Sequence, residues 1–169
     1  VTLQTSTTSS VDLRDALVPA TARNVTLSGQ VTGSGNLTVG GDGTLTLSNT
    51  GNDYSGQTTV TGGTLLVTGI TGSGAVIVQT GSQLGGSGTI GGTVTVQSGG
   101  KLIPGTSIGT LTINDNLSLE SGSVYSVEIN KSGTTYTADK VVLATGKTAT
   151  LAGTVDITAS GTALSGGEV

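Results

Sequence analysis

Three aspartates stand in turn-forming stretches where a carboxylate could hold a calcium ion: Asp42 in Gly40-Gly41-Asp42-Gly43, Asp53 in Asn52-Asp53-Tyr54, and Asp115 in Asn114-Asp115-Asn116. Calcium-binding glycine-rich coils repeat Gly-Gly-x-Gly-x-Asp, so the aspartate has a fixed place. In Gly40-Gly41-Asp42-Gly43-Thr44-Leu45 and Gly85-Gly86-Ser87-Gly88-Thr89-Ile90 that place holds Leu45 or Ile90. An aliphatic side chain offers calcium nothing. Asp42, Asp53 and Asp115 are therefore read as turn residues, and no metal site is assigned.

Catalysis on polysaccharides is the next chemistry to weigh. A glycosidase needs two carboxylates across a groove, and a β-eliminating lyase needs a base with a cation to hold the sugar acid. The ten Asp and Glu are scattered along the chain, histidine is absent, and no acidic pair falls on adjacent outward positions. No catalytic or cofactor-binding residue is assigned, no cofactor is expected, and the chain is read as not an enzyme.

Other patterned residues have plainer roles. The pairs Thr44/Thr46, Thr93/Thr95, Thr110/Thr112 and Thr148/Thr150 could form a flat hydroxyl-methyl face for ice or another crystal surface, but they recur irregularly. Threonine in a strand is first a good β-former. The sequons Asn24-Val25-Thr26, Asn36-Leu37-Thr38, Asn116-Leu117-Ser118 and Asn130-Lys131-Ser132 are read as incidental in so Thr- and Ser-rich a chain. Tyr125 lies in phase with Val127 and Ile129, which predicts core packing. Tyr54 is expected to cover a turn.

The elements that position these residues follow from composition. The chain has 30 Gly and 33 Thr in 169 residues, three Tyr, and no Cys, Met, Trp, Phe or His. Aromatic bulk cannot build its core, so Val, Leu and Ile must do so by repeating in register. With 9% charged residues the chain is not of the charge-driven disordered kind. Six Lys and Arg against ten acids, a formal charge of −4, exclude a phosphate-backbone partner; no nucleic acid is expected, and an anionic membrane is disfavoured for the same reason. Without cysteine, backbone ladders and packing must hold the fold. No stretch is apolar for the ~18 residues of a spanning helix, and no signal peptide is visible. The start at Val1 and stop at Val169 fall in mid-pattern, so a fragment of a longer protein is expected.

Apolar-x-apolar pairs recur from Val25/Leu27 through Leu45/Leu47, Leu65/Val67, Val76/Val78, Val94/Val96 and Leu111/Ile113 to Val155/Ile157, with glycine-rich turns between. Equivalent leucines lie at Leu45, Leu65, Leu84 and Leu102, steps of 20, 19 and 18 residues. A sandwich would also give short strands, but a period near 20 with a second strand inside it requires a coil of rungs, each adding a layer about 4.8 Å tall. The expected fold is all-β: a right-handed single-stranded parallel β-helix, of about eight rungs and about 35–40 Å, whose steps shorten along the chain. Residues 1–23 are assigned to an N-terminal cap and first rung, and 24–169 to the rungs. Within the cap, residues 9–18 predict a short amphipathic helix, with Ser9 or Ser10 as N-cap, an apolar face of Leu13, Ala16 and Leu17, and an end before Pro19; the alternative is a lateral loop that leaves the coil and returns.

Gly43 to Val67 carries a Leu-x-Leu strand (Leu45, Leu47), an Asn-x-Tyr-x-Gly turn (Asn52, Tyr54, Gly56), a Thr-x-Val strand (Thr58, Val60) and the Gly-Thr-Leu start of another rung (Gly63, Thr64, Leu65). This segment resembles the passenger-associated β-strand repeat of autotransporters, the type V secretion passengers. A second block, Leu84–Gly92 and Gly99–Gly105 to Leu111, is similar to rungs near the C-terminal side of such passengers. The resemblance implies a protein of the bacterial cell surface or secreted, exported through an outer-membrane translocator barrel that the chain does not contain. A rigid stalk that displays or forms a contact surface is expected, an adhesin or virulence-type passenger touching host cells, matrix or copies of itself. The competing readings are a carbohydrate-active β-helix segment and a scaffold for an effector domain elsewhere.

Overall fold

The computed structural model describes residues 1–4, 8–12 and 22–161. Among these, every regular element is a strand and nearly every pairing is parallel. The strands stack in three walls, and the chain visits each wall once per turn. One wall holds Val25–Leu27, Thr44–Leu47, Thr64–Val67, Gln83–Gly86, Lys101–Pro104, Val124–Ser132 and Thr154–Gly161. The second holds Thr8–Asp12, Asn36–Gly40, Thr58–Val60, Val76–Val78, Val94–Val96, Leu117–Leu119 and Ala149–Leu151. The third begins with Thr2–Leu3 on Thr32–Gly33 and ends with Thr89–Ile90, Thr110–Ile113 and Lys140–Leu143. Between those sections, single backbone bonds such as Asp53 N to Val31 O (3.0 Å) and Ser73 N to Tyr54 O (3.1 Å) carry the third wall on. The architecture is a parallel β-helix.

Alternation explains why the coil holds. In the short strands inward and outward side chains alternate, two inward in most of them, and only the rung above or below can cover the inward ones. The predicted leucine column exists: Val25, Leu45, Leu65, Leu84 and Leu102 are successive Cα partners, followed by Tyr125 and Val155. On the second wall Val39, Val60, Val78, Val96 and Leu119 stack in the same way. The middle members of both columns are fully buried, and each such side chain contributes about 1.5–3 kcal/mol by leaving water. Close stacking also limits what can sit at the corners. A Cβ added to Gly43 would collide with the backbone of Arg23 one rung earlier, so that corner admits only glycine.

Four expectations change. Among the described residues the second wall is seven-stranded, which gives seven rungs and about 30 Å of solenoid where about eight rungs are expected of the chain. The steps do not go on shortening: Leu102 to Tyr125 takes 23 residues and Tyr125 to Val155 takes 30. The last step is long because Val124–Ser132 turns back antiparallel onto Thr135–Ala138 before the coil resumes. Residues 9–12 are not the start of a helix: Thr8–Asp12 is a strand paired with Asn36–Gly40, whose open edge offers a full ladder of hydrogen bonds. The rest of that predicted helix, 13–18 with Leu13, Ala16 and Leu17, lies outside the described residues. Finally, Tyr54 does not cover a turn from outside; it is 1% exposed and is among the largest fully buried side chains.

Candidate functional site

The Asn-x-Tyr-x-Gly turn buries its polar side chains Asn52 and Tyr54 inside the coil. Asn52 is 5% exposed and occupies a stretch of the third wall that lacks a regular strand. Its Oδ1 accepts from Val31 N at 2.7 Å, and its Nδ2 donates to Ile70 O at 2.8 Å. Val31 and Ile70 belong to the rungs on either side, so one side chain replaces two ladder bonds. Tyr54 points inward beside it, and its hydroxyl shares a 2.8 Å hydrogen bond with Thr58 Oγ1. Thr58 sits, fully buried, between Leu37 and Val76 in its column, and this bond is what makes its hydroxyl tolerable there. Burial raises the Tyr54 hydroxyl above the ordinary tyrosine value, against the hydrogen bonds from Thr58 and Gly72. A Cβ on Gly72 would strike the Tyr54 carbonyl. The motif is a staple across three rungs.

The sequence candidates for chemistry do not converge. Asp42 and Asp53 are exposed on successive turns of different walls. Asp115 pairs with Lys147 across adjacent rungs at 2.8 Å, and the hydrogen bond from that ammonium, with one from Asn116 N, holds its carboxyl below the ordinary range. Among the described residues no group of three or more His, Cys, Asp or Glu could hold a metal ion. The four Thr-x-Thr pairs are dispersed over the three walls: Thr44/Thr46 on the first, Thr93/Thr95 and Thr148/Thr150 on the second, Thr110/Thr112 on the third. They form no single array.

Sequence reasoning missed two features. Corner asparagines tie rung to rung: Asn24 Oδ1 accepts from Thr44 N (3.0 Å), Asn36 Oδ1 from Gln57 N (2.9 Å) and Asn116 Oδ1 from Thr148 N (2.9 Å). Their spacing of 20, 21 and 32 residues to those partners follows the rung length, which is the signal that could have found them. The second is a cleft of about 480 Å³ between Ile108–Thr110 and Tyr136–Lys140, beside the inserted hairpin. Its buried member, Asp139, is a clamp: Oδ1 accepts from Gly109 N (2.8 Å) and Oδ2 from Glu128 N (2.9 Å), fixing the hairpin to the loop before Thr110. At the hairpin's tip the Lys131 ammonium lies 5.7 Å from the Tyr136 ring centre. Tyr125, expected in the core, is half-buried against the last rungs, and burial raises its hydroxyl too.

Outward residues of the second wall line up in register. Its central row runs Thr38, Thr59, Ile77, Thr95, Ser118 and Thr150, one residue per rung. From Asn36–Gly40 to Ala149–Leu151 the strands of this wall contain no charged residue.

A stapled parallel coil of this kind is a repeat scaffold. Residues 37–67, which run from one second-wall strand through the Asn52 staple to the end of another first-wall strand, match the passenger-associated-transport-repeat family. The match supports an autotransporter passenger built of such repeats, and with it a secreted or cell-surface protein. No curated protein matches the chain.

Proposed function

We propose that this passenger stalk is itself adhesive, and that the second wall is its contact surface, meeting copies of itself or a neutral surface outside the cell. The observation that carries the reading is the charge-free wall of Thr38, Thr59, Ile77, Thr95 and Ser118 in register. Over the row from Thr38 to Ser118, two such walls brought together set no charged strand residue against another. Their hydroxyl and methyl groups repeat at the same rung spacing, so contacts made at one rung recur at the next. Weak contacts thereby add along the coil. The stalk supplies rigidity, and no catalytic step is assigned.

The test is self-association and surface binding of the purified chain, by sedimentation velocity and by aggregation of coated beads. Association that is insensitive to salt and abolished by Thr59→Lys with Thr95→Lys supports the reading. A chain that stays monomeric and binds no surface, while a different part of the full protein does bind, leaves the stalk and removes the adhesive role. Release of reducing ends or unsaturated products from acidic polysaccharides, lost on changing one acidic residue, would instead establish the carbohydrate-active reading.

A further inference from the structure

We propose that the cleft beside the inserted hairpin is a binding site for an extended acidic peptide segment of another protein, which adds as a strand to the open edge of Thr135–Ala138. Among the described strands Thr135–Ala138 pairs with Val124–Ser132 alone and ends its sheet. The ladder decides which of its backbone groups face the open side. Asp139 N donates to Glu128 O at 2.9 Å, so Asp139 faces Val124–Ser132. Backbone direction alternates along a strand, so Thr137 and Thr135, opposite Asn130 and Ser132, face the same way. Tyr136 and Ala138 therefore turn their N–H and C=O outward. Lys140 has the same outward parity, and its N–H donates to Gly109 O at 3.0 Å. That bond closes one end of the cleft. Beyond it, Tyr136 and Ala138 present two donors and two acceptors that no hydrogen bond among the described residues uses.

The shape of the cleft fits a single strand. Residues 136–140 line it consecutively, although side chains alternate between the two faces of a strand. A cavity met by all five is met edge-on, so backbone is what it offers a guest. Tyr136 to Lys140 spans about 13 Å of strand. Spread over that length, the volume of about 480 Å³ gives a cross-section of about 35–40 Å², room for one strand and not for the sheet of a second copy. Charge selects among such guests. Both oxygens of Asp139 are occupied, by Gly109 N and Glu128 N, so that carboxylate is spent within the fold. Lys140 is exposed, makes no ion pair among the described residues, and by alternation shares a face with Tyr136 and Ala138. The matching guest carries apolar side chains at alternate positions, over Tyr136 and Ala138, and a carboxylate in phase with them that reaches Lys140.

Titration of the whole chain with the acetylated, amidated peptide Thr-Val-Thr-Val-Thr-Glu-Thr, followed by fluorescence anisotropy and by amide chemical shifts, tests the assignment. The expected result is binding that moves the Tyr136 and Ala138 amides and weakens about fivefold when lysine replaces the peptide's glutamate. A strand bonds through alternate residues, so N-methylation of both valines, or instead of the two inner threonines, should abolish binding in one case and spare it in the other. Ala138→Pro deletes one outward donor and leaves the bond from Asp139 N to Glu128 O; it should lose the peptide and keep the circular dichroism spectrum. Lys140→Ala, which retains the backbone bond to Gly109, should bind the glutamate and lysine peptides alike. No binding, or equal loss from the two N-methylated forms, would overturn the proposal. A dimer of the chain that Ala138→Pro dissolves would also overturn it, by giving the edge to a second copy.

Discussion

Replacing Asn52 separates a structural staple from a decorative turn. Asn52→Ala leaves Val31 N and Ile70 O without their partners at a position 5% exposed. Each orphaned buried group costs about 1–3 kcal/mol, and some water enters the vacated space, so a total of about 2–4 kcal/mol is expected. For a chain of this size that lowers the thermal midpoint by about 5–15 °C. Asn24→Ala is the control, because it removes one bond at an exposed corner and should cost about 0.5–1.5 kcal/mol. Asn52→Asp adds a signature in pH. A carboxylate can still accept from Val31 N, but its second oxygen faces the Ile70 carbonyl in a buried place. Its folded pKa is therefore raised above the unfolded value of about 3.9. A raised folded pKa means stability is fully present below the unfolded value and lost as pH rises through the folded one. The protonated acid can donate to Ile70 O as asparagine does, so this variant should be near wild type in acid and far weaker at neutral pH. The assay is thermal and urea unfolding followed by far-UV circular dichroism. An Asn52→Ala loss no larger than that of Asn24→Ala, or pH-independent Asn52→Asp, would refute the staple.

Other outcomes follow from the same geometry. Leu65→Asp places a charge between Leu45 and Leu84 and should abolish a cooperative unfolding transition, whereas Thr46→Asp, on the outward side of the same wall, should fold with a midpoint within a few degrees of wild type. The Tyr54 hydroxyl titrates above its ordinary value because it is buried; stability from keeping it neutral is intact below pH about 10 and is lost as pH rises through the folded value. Tyr54→Phe should remove that alkaline component from a phenolate absorbance titration and cost about 1 kcal/mol by orphaning Thr58 Oγ1. Gly72→Ala should destabilise strongly, since its Cβ meets the Tyr54 carbonyl, while Gly29→Ala, with open space around it, should not.

Much of the fold is legible because the code is periodic. Leucines 20, 19 and 18 residues apart stack as Cα partners, since a parallel coil must return each inward side chain to the same column. The helix expected at 9–18 fails at its start because tertiary context outweighs local pattern: a free parallel edge at Asn36–Gly40 captures Thr8–Asp12. The long final step was hidden because an inserted hairpin, Val124–Ser132 with Thr135–Ala138, keeps the same alternation as the rungs it interrupts. The sequence marks Tyr54 as a turn residue but does not show its burial, because the hydroxyl that satisfies it inside, at Thr58 four residues on, is brought to it only by the fold. Asp139 gave no signal in sequence, since its partners Gly109 and Glu128 are backbone groups brought to it only by the fold. The candidate contact wall was legible in residue type but not in extent. Only the three-wall path shows which threonines share a surface.

The central claim, a parallel coil in the register that stacks Leu45 on Leu65 and Leu84, is tested most directly by paired spin labels. The chain has no cysteine, so introduced pairs label uniquely. Labels at Thr46→Cys and Leu66→Cys, outward Cα partners one rung apart, should show strong dipolar broadening at about 5 Å of backbone separation. Labels at Thr46→Cys and Thr95→Cys, on different walls and separate rungs, should show far less. Absence of broadening in the first pair, in a chain that folds cooperatively, would contradict the register and with it the solenoid.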